Sequence, residues 1–81
     1  MPRLVKLDDV WRMLDACASG YTRRETDHHW IVTFRDFQFR SLPLGAHGRR
    51  VNPEIESGYV RAMVRMFGLD AACVEKHVNL R

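Results

Sequence analysis

Cysteine, long apolar runs and metal-binding motifs are scarce in this chain, and each scarcity excludes a class of protein. The two cysteines, Cys17 and Cys73, are too few for the disulfide framework of a small secreted domain. We expect both to be buried, reduced thiols, and without a Cys-x-x-Cys pair a zinc site has no support. No apolar run approaches the ~18 residues of a membrane span, and residues 1–6 lack the apolar segment of a signal peptide. We therefore expect a cytoplasmic protein.

The chain is also short. Its 81 residues suffice for a single domain, which we expect to span residues 1–81. A domain of this size buries only about 60–65% of its unfolded surface. It has room for one sheet with two or three helices but not for a deep cofactor pocket. We therefore expect no cofactor, and a substrate that binds on the surface.

The positive charge is concentrated in the middle of the chain. The net charge is +3, and acidic and basic residues balance within residues 1–19 and within residues 51–81. The excess comes from arginines of the central segment: Arg23, Arg24, Arg35, Arg40, Arg49 and Arg50. Arginine binds phosphate through a planar fork of N–H donors. A basic surface of this kind is typical of nucleic-acid binding, although a merely solvated face has the same composition.

Hydrophobic periodicity predicts an α+β fold with the order α-β-β-β-α-α. Apolar residues at helical spacing predict a helix over residues 7–18, with Gly20 as its stop. Residues 21–25, 28–34 and 37–42 have strand character, and Arg35-Asp36 is a candidate tight turn. A three-stranded antiparallel sheet with helices packed on one face is the natural arrangement, and its other face stays open.

The C-terminal third predicts two helices. Asn52-Pro53-Glu54 resembles a helix start, with Ser57 as a second candidate cap. Gly68 is expected to end the second helix, and Asp70 to cap a short third helix that runs through Val78. The helical stripe between these signals comprises Tyr59, Val60, Met63, Val64 and Phe67.

The segment Asp27-His28-His29 is the strongest candidate for a catalytic role. If Trp30, Val32 and Phe34 face the core, then His29, Ile31, Thr33 and Arg35 face outward, because neighbouring strand residues alternate. Histidine titrates near pH ~6.5 and can act as general base or acid when an RNA 2′-hydroxyl attacks its own phosphate. Adjacent histidines on a strand diverge, which disfavours a shared metal ion. Packing or hydrogen bonding is the alternative role for these histidines.

The order of these segments resembles the HicA (YcfA-like) toxin family. That family has a Gly-Ser-His or Gly-Ser-Asn-His segment opening a strand, a strand that ends in Val-Pro, a His-Gly loop and a final helix. Here the matching segments are Thr26-Asp27-His28-His29, Ser41-Leu42-Pro43, Ala46-His47-Gly48 and residues 57–69. The resemblance extends from about residue 7 to residue 78.

The resemblance implies a double-stranded-RNA-binding-domain-like fold and a ribosome-independent, metal-independent mRNA endonuclease, the toxin of a type II toxin–antitoxin module. It implies mRNA and a HicB-type antitoxin as partners. The essential histidine is then His29 or His28. Candidate RNA-binding residues are Arg23, Arg24, Arg35, Arg40, His47, Arg49 and Arg50.

Two alternatives stay open at this point. Asp27 takes a position where the family has a small residue. Its negative charge either opposes an approaching phosphate or orients an adjacent imidazole, as carboxylates do in catalytic pairs. A non-catalytic RNA-binding module on the same fold is therefore one alternative. The other is a protein-interaction domain whose basic face binds an acidic partner.

Overall fold

A computed structural model describes residues 3–44 and 53–80 of the chain. Its elements follow the order β-α-β-β-β-β-α-α, which corrects the predicted order by adding a short strand before each of the first two helices. The strands are β1 (Leu4–Lys6), β2 (Thr22–Glu25), β3 (His29–Phe34), β4 (Phe37–Pro43) and β5 (Glu54–Glu56), and the helices are α1 (Leu7–Cys17), α2 (Ser57–Phe67) and α3 (Ala71–Glu75).

The predicted three-stranded antiparallel sheet is confirmed, with the strand order β2-β3-β4. Short turns close both of its hairpins. Thr26-Asp27-His28 joins β2 to β3, and Arg35-Asp36 joins β3 to β4, the latter as the sequence predicted. Arg35 has a φ of 56°, a left-handed conformation that lets this two-residue turn close.

A second, two-stranded sheet was not predicted. β1 pairs with β5 in antiparallel register, with Val5 opposite Ile55 at its centre. Each strand leads directly into a helix, and the two junctions are bonded alike. The Leu7 amide donates to the Pro53 carbonyl at 2.8 Å, and the Ser57 amide donates to the Arg3 carbonyl at the same distance. The two strand–helix units are therefore related by an approximate twofold, with a constant offset of 50 residues between equivalent positions.

This pairing corrects the predicted start of the second helix. Residues 54–56 form β5 instead of a first helical turn, and Asn52 lies outside the described residues. The helix begins at Ser57, and Glu56 precedes it with an extended backbone and no side-chain cap. Strand pairing satisfies the backbone groups that an earlier helix start would have used, so the local Asn-Pro signal is overridden.

The core lies between the helices and one face of the main sheet. Tyr59 of the predicted α2 stripe is 41% exposed, but most of the periodic apolar positions of both long helices are buried in this core, as their spacing predicted. They pack against Val32 and Leu42, each 0% exposed, from the sheet. The buried helix residues are Leu7, Val10, Met13 and Leu14 of α1 and Ser57, Val60, Met63 and Phe67 of α2.

A disulfide joins the C-terminal segment to α1. Cys17 and Cys73 are bonded, with their Cα atoms 5.9 Å apart, so the expectation of two reduced thiols was wrong. The sequence did not predict this disulfide, because 56 positions separate the two cysteines along the chain. Asp70 caps α3 as predicted, since its carboxylate accepts from the Cys73 amide at 3.0 Å, but the helix ends at Glu75 and does not run through Val78. Gly68, with a φ of 66°, ends α2.

Candidate functional site

Both candidate histidines lie at the hairpin of β2 and β3, with His28 in the turn and His29 as the first residue of β3. Thr26 and His29 face each other across this turn, and Asp27 and His28 occupy its tip. The Thr26 amide and hydroxyl both donate to the His29 carbonyl at 2.8 Å, and the His29 amide donates to the Thr26 hydroxyl at 3.1 Å. Thr26 therefore fixes the backbone of His29.

Both imidazoles are exposed and adjacent. The centroids of the His28 and His29 rings are 6.5 Å apart, with an angle of 69° between the ring planes. Among the described residues, no side chain hydrogen-bonds to either ring, so both rings can rotate toward a ligand. The two rings therefore form one accessible pair at the tip of the hairpin.

The strand alternation places His29 on the open face of the main sheet. Val32 and Phe34 belong to the core and Trp30 packs against it, which leaves His29, Ile31 and Thr33 on the other face, as predicted. The strand pairing adds Arg24 beside Ile31 and Gln38 beside Thr33 on the same face.

Two arginines flank Ile31 on this face. Arg24 pairs with it from β2, and a bulge in β4 sets Arg40 and Ser41 opposite it on the other side. Ile31 is only 6% exposed although it lies outside the main core. Arg40 donates to the Gln38 side-chain oxygen at 2.6 Å, and the Gln38 amide donates to the Thr33 hydroxyl at 3.4 Å. The face is thus a polar surface with the buried Ile31 side chain beneath it.

The charge of this open face is entirely positive. Its strand positions are Thr22, Arg24, His29, Ile31, Thr33, Gln38, Arg40, Ser41 and Pro43. None of these carries a carboxylate, and Glu25 pairs with Trp30 on the helix-covered face. Asp27, at the exposed hairpin tip, is the acidic group next to the histidines in sequence. An anion that approaches the sheet therefore meets two guanidinium groups and an imidazole.

The other predicted RNA-binding residues do not join this face. Arg35 lies at the far end of β3, roughly 20 Å from His29 at the usual strand rise, with its guanidinium 4.9 Å from the centre of the Phe34 ring. Arg35, which was expected to face outward with His29, therefore lies far from it. Arg23 lies on the helix-covered face. His47, Arg49 and Arg50 lie outside the described residues.

A cluster of aromatic residues lies behind the hairpin, and the sequence did not reveal it as a unit. The Trp11 and Trp30 rings meet edge to face with their centroids 5.0 Å apart, and Tyr21 stacks nearly parallel to Trp11 at 6.5 Å. All three side chains are partly exposed, so the two tryptophans pack against the core instead of lying within it. Burial raises the pKa of Tyr21, and the nearby Asp15 carboxylate acts in the same direction.

Comparison with known proteins identifies no relative. No protein-family model, no curated protein sequence and no solved structure matches this chain. In residues 3–44 and 53–80 there is no group of three or more histidine, cysteine, aspartate or glutamate residues placed to hold a metal ion. No helix in this part of the chain is long and apolar enough to cross a membrane.

Proposed function

We propose that this chain is an endoribonuclease resembling the HicA toxins, which cleaves mRNA with the His28/His29 pair. The observation that carries the proposal is the open sheet face, where Arg24 and Arg40 lie with His29 and no strand residue contributes a carboxylate. Such a face suits a polyanion that is too large for a pocket. A domain of 81 residues can contact RNA in this way without enclosing it.

The proposed reaction needs only proton transfer and charge stabilisation. The RNA 2′-hydroxyl attacks the adjacent phosphorus and loses its proton to one imidazole. The 5′-oxygen of the next nucleotide leaves as a hydroxyl after taking a proton from the other imidazole, which yields a 2′,3′-cyclic phosphate. Guanidinium groups stabilise the charge that builds on the phosphoryl oxygens. The separation of 6.5 Å between the ring centroids allows one phosphodiester group to contact both rings.

The test uses purified protein and a defined single-stranded RNA in a buffer containing a chelator. We expect wild-type protein to produce fragments with 2′,3′-cyclic phosphate ends, because the proposed chemistry needs no metal ion. The His28→Ala, His29→Ala double variant should lose this activity, and the single variants identify the base and the acid through their pH profiles. His77→Ala is the matched control, since this histidine lies beyond α3. RNA that stays intact with wild-type protein would refute the proposal.

A non-catalytic RNA-binding module is the second candidate, and Asp27 favours it. Its carboxylate lies at the exposed hairpin tip beside His28, where it repels the phosphate that the histidines would have to reach. This candidate predicts salt-dependent RNA binding that survives loss of both histidines but weakens in Arg24→Gln and Arg40→Gln variants. A protein-interaction domain would instead show no RNA binding at all.

The toxin proposal includes a HicB-type antitoxin that covers the open face and a cytoplasmic location. Cytosolic thiol systems reduce most disulfides. The proposal therefore requires the domain to stay folded when Cys17 and Cys73 are reduced. A co-expressed antitoxin should protect Arg24 and Arg40 from chemical modification, because both lie on the covered face.

A further inference from the structure

Arg23 is stacked on the aromatic cluster behind the hairpin. Its guanidinium carbon lies 4.1 Å from the centre of the Trp11 ring and 5.5 Å from the centre of the Trp30 ring. The residue is nevertheless exposed. One side of the guanidinium therefore rests on an indole while the residue remains open to solvent, and the contact restrains an otherwise mobile side chain.

Arg23 differs from Arg24 in the contacts of its side chain. The Arg23 guanidinium lies over the Trp11 ring, whereas Arg24 lies beside Ile31 on the open face of the sheet. Tyr21 is also close to Arg23, since burial raises the pKa of the Tyr21 hydroxyl and the Arg23 guanidinium opposes this shift. The distinguishing property of Arg23 is therefore a planar cation that is restrained against an aromatic ring.

Arg23 lies within reach of RNA bound at the proposed site. β2 is an edge strand, and its consecutive residues Arg23 and Arg24 face opposite sides of the sheet. Trp30, in turn, directly follows His29 along β3. A strand of RNA that passes around the β2 edge from Arg24 reaches Arg23 within a short distance of the histidine pair.

We propose that Arg23, held against Trp11, is a stacking platform for an unpaired base of single-stranded RNA. The base stacks on the solvent side of the guanidinium, so that base, guanidinium and indole form three layers. Arginine planes and aromatic rings are the usual partners of splayed-out RNA bases, whereas bases within a duplex are already stacked on each other. This inference rests on the proposed function, and it specifies that the substrate is unpaired at this position.

The test compares two matched lysine substitutions, Arg23→Lys and Arg24→Lys. Both preserve charge and remove the planar guanidinium at neighbouring positions of one strand. We expect Arg23→Lys to weaken binding of a fluorescent single-stranded oligonucleotide by about five- to tenfold, as for loss of one stacking contact. Arg24→Lys should weaken it by no more than about twofold, because Arg24 contributes charge. The salt dependence should be unchanged in Arg23→Lys, and neither change should alter binding of a blunt RNA duplex.

Tryptophan fluorescence supplies an independent measurement. Trp11 and Trp30 are the two tryptophans of the chain, so their emission reports on the cluster alone. Single-stranded RNA should change this emission with the wild-type protein and far less with Arg23→Lys. Equal losses in the two lysine variants, or RNA binding without a change in emission, would overturn the platform and leave the proposed function intact. Absence of RNA binding by every protein would overturn both.

Discussion

The Cys17–Cys73 disulfide allows the sharpest prediction about stability. It closes a loop of 56 residues that contains the whole main sheet and α2. In the chain-entropy model, a loop of this size limits the unfolded ensemble enough to stabilise the fold by about 4 kcal/mol. Domains of this length unfold with roughly 4–12 kcal/mol in total. We therefore expect the bond to supply a large part of the stability of this domain.

Urea unfolding with and without a reductant measures this contribution. If the free energy of unfolding falls by about 1 kcal/mol per M urea, the unfolding midpoint should fall by roughly 4 M on reduction. The Cys17→Ser, Cys73→Ser double variant should match the reduced wild-type protein and should not respond to the reductant. Val74 and Val78, 3% and 5% exposed, still anchor the C-terminal segment, so we expect the reduced protein to keep its fold in water.

Two results would refute this reasoning. If a thiol reagent detects two free cysteines in the untreated, folded protein, the bond is absent. The thiol reagent also shows when reduction is complete. If the urea midpoint of the fully reduced protein equals that of the untreated protein, the bond does not restrict the unfolded chain as the model requires. In the second case the C-terminal segment is held by apolar packing alone.

Two further predictions concern single residues. Gly68→Ala should lower the free energy of unfolding by about 1 kcal/mol, because φ is 66°. A Cβ there meets nothing within 4 Å, so the cost comes from the backbone conformation alone. Gly58→Ala, inside α2, should instead raise the free energy of unfolding by up to ~1 kcal/mol. Equal midpoints for the two variants would contradict this. Burial raises the pKa of Tyr21, so the folded state holds this proton more tightly than the unfolded chain, and its contribution to stability should be complete below pH ~10 and lost as the pH rises further. Tyr21→Phe should remove that part of the alkaline decline, and identical pH profiles for the two proteins would count against it.

Local sequence signals predicted most of the secondary structure. The α1 and α2 helices, the Gly68 stop and the Asp70 cap depend on residues within a few positions of each other, and all appear in the fold. The alternation of β3 was equally local, which is why the outward direction of His29 was predicted correctly. Such patterns can be read from the sequence because the helix and strand periods determine which side chains lie on the buried face.

The sequence predicted only part of the candidate site. The sequence indicated a basic central segment but not which arginines share a face, because this depends on register across three strands. The pairing of Arg24 with Ile31 and the bulge opposite Ile31 decided that Arg24 and Arg40 join His29. Arg23, adjacent to Arg24, went to the other face and against Trp11. No local signal distinguishes these two neighbours.

The sequence by itself determined the α+β class, the helical or strand character of the main elements and the exposure of the histidine turn. Each follows from short-range periodicity and turn chemistry, which act before distant parts of the chain meet. Only the tertiary structure decided the pairing of β1 with β5, the start of α2 at Ser57 and the disulfide bond between Cys17 and Cys73. These features join residues about 50 positions apart, and their formation depends on the packed core that brings them together. The arginine face depends on the same packing, because the helices cover one side of the sheet and leave the other open.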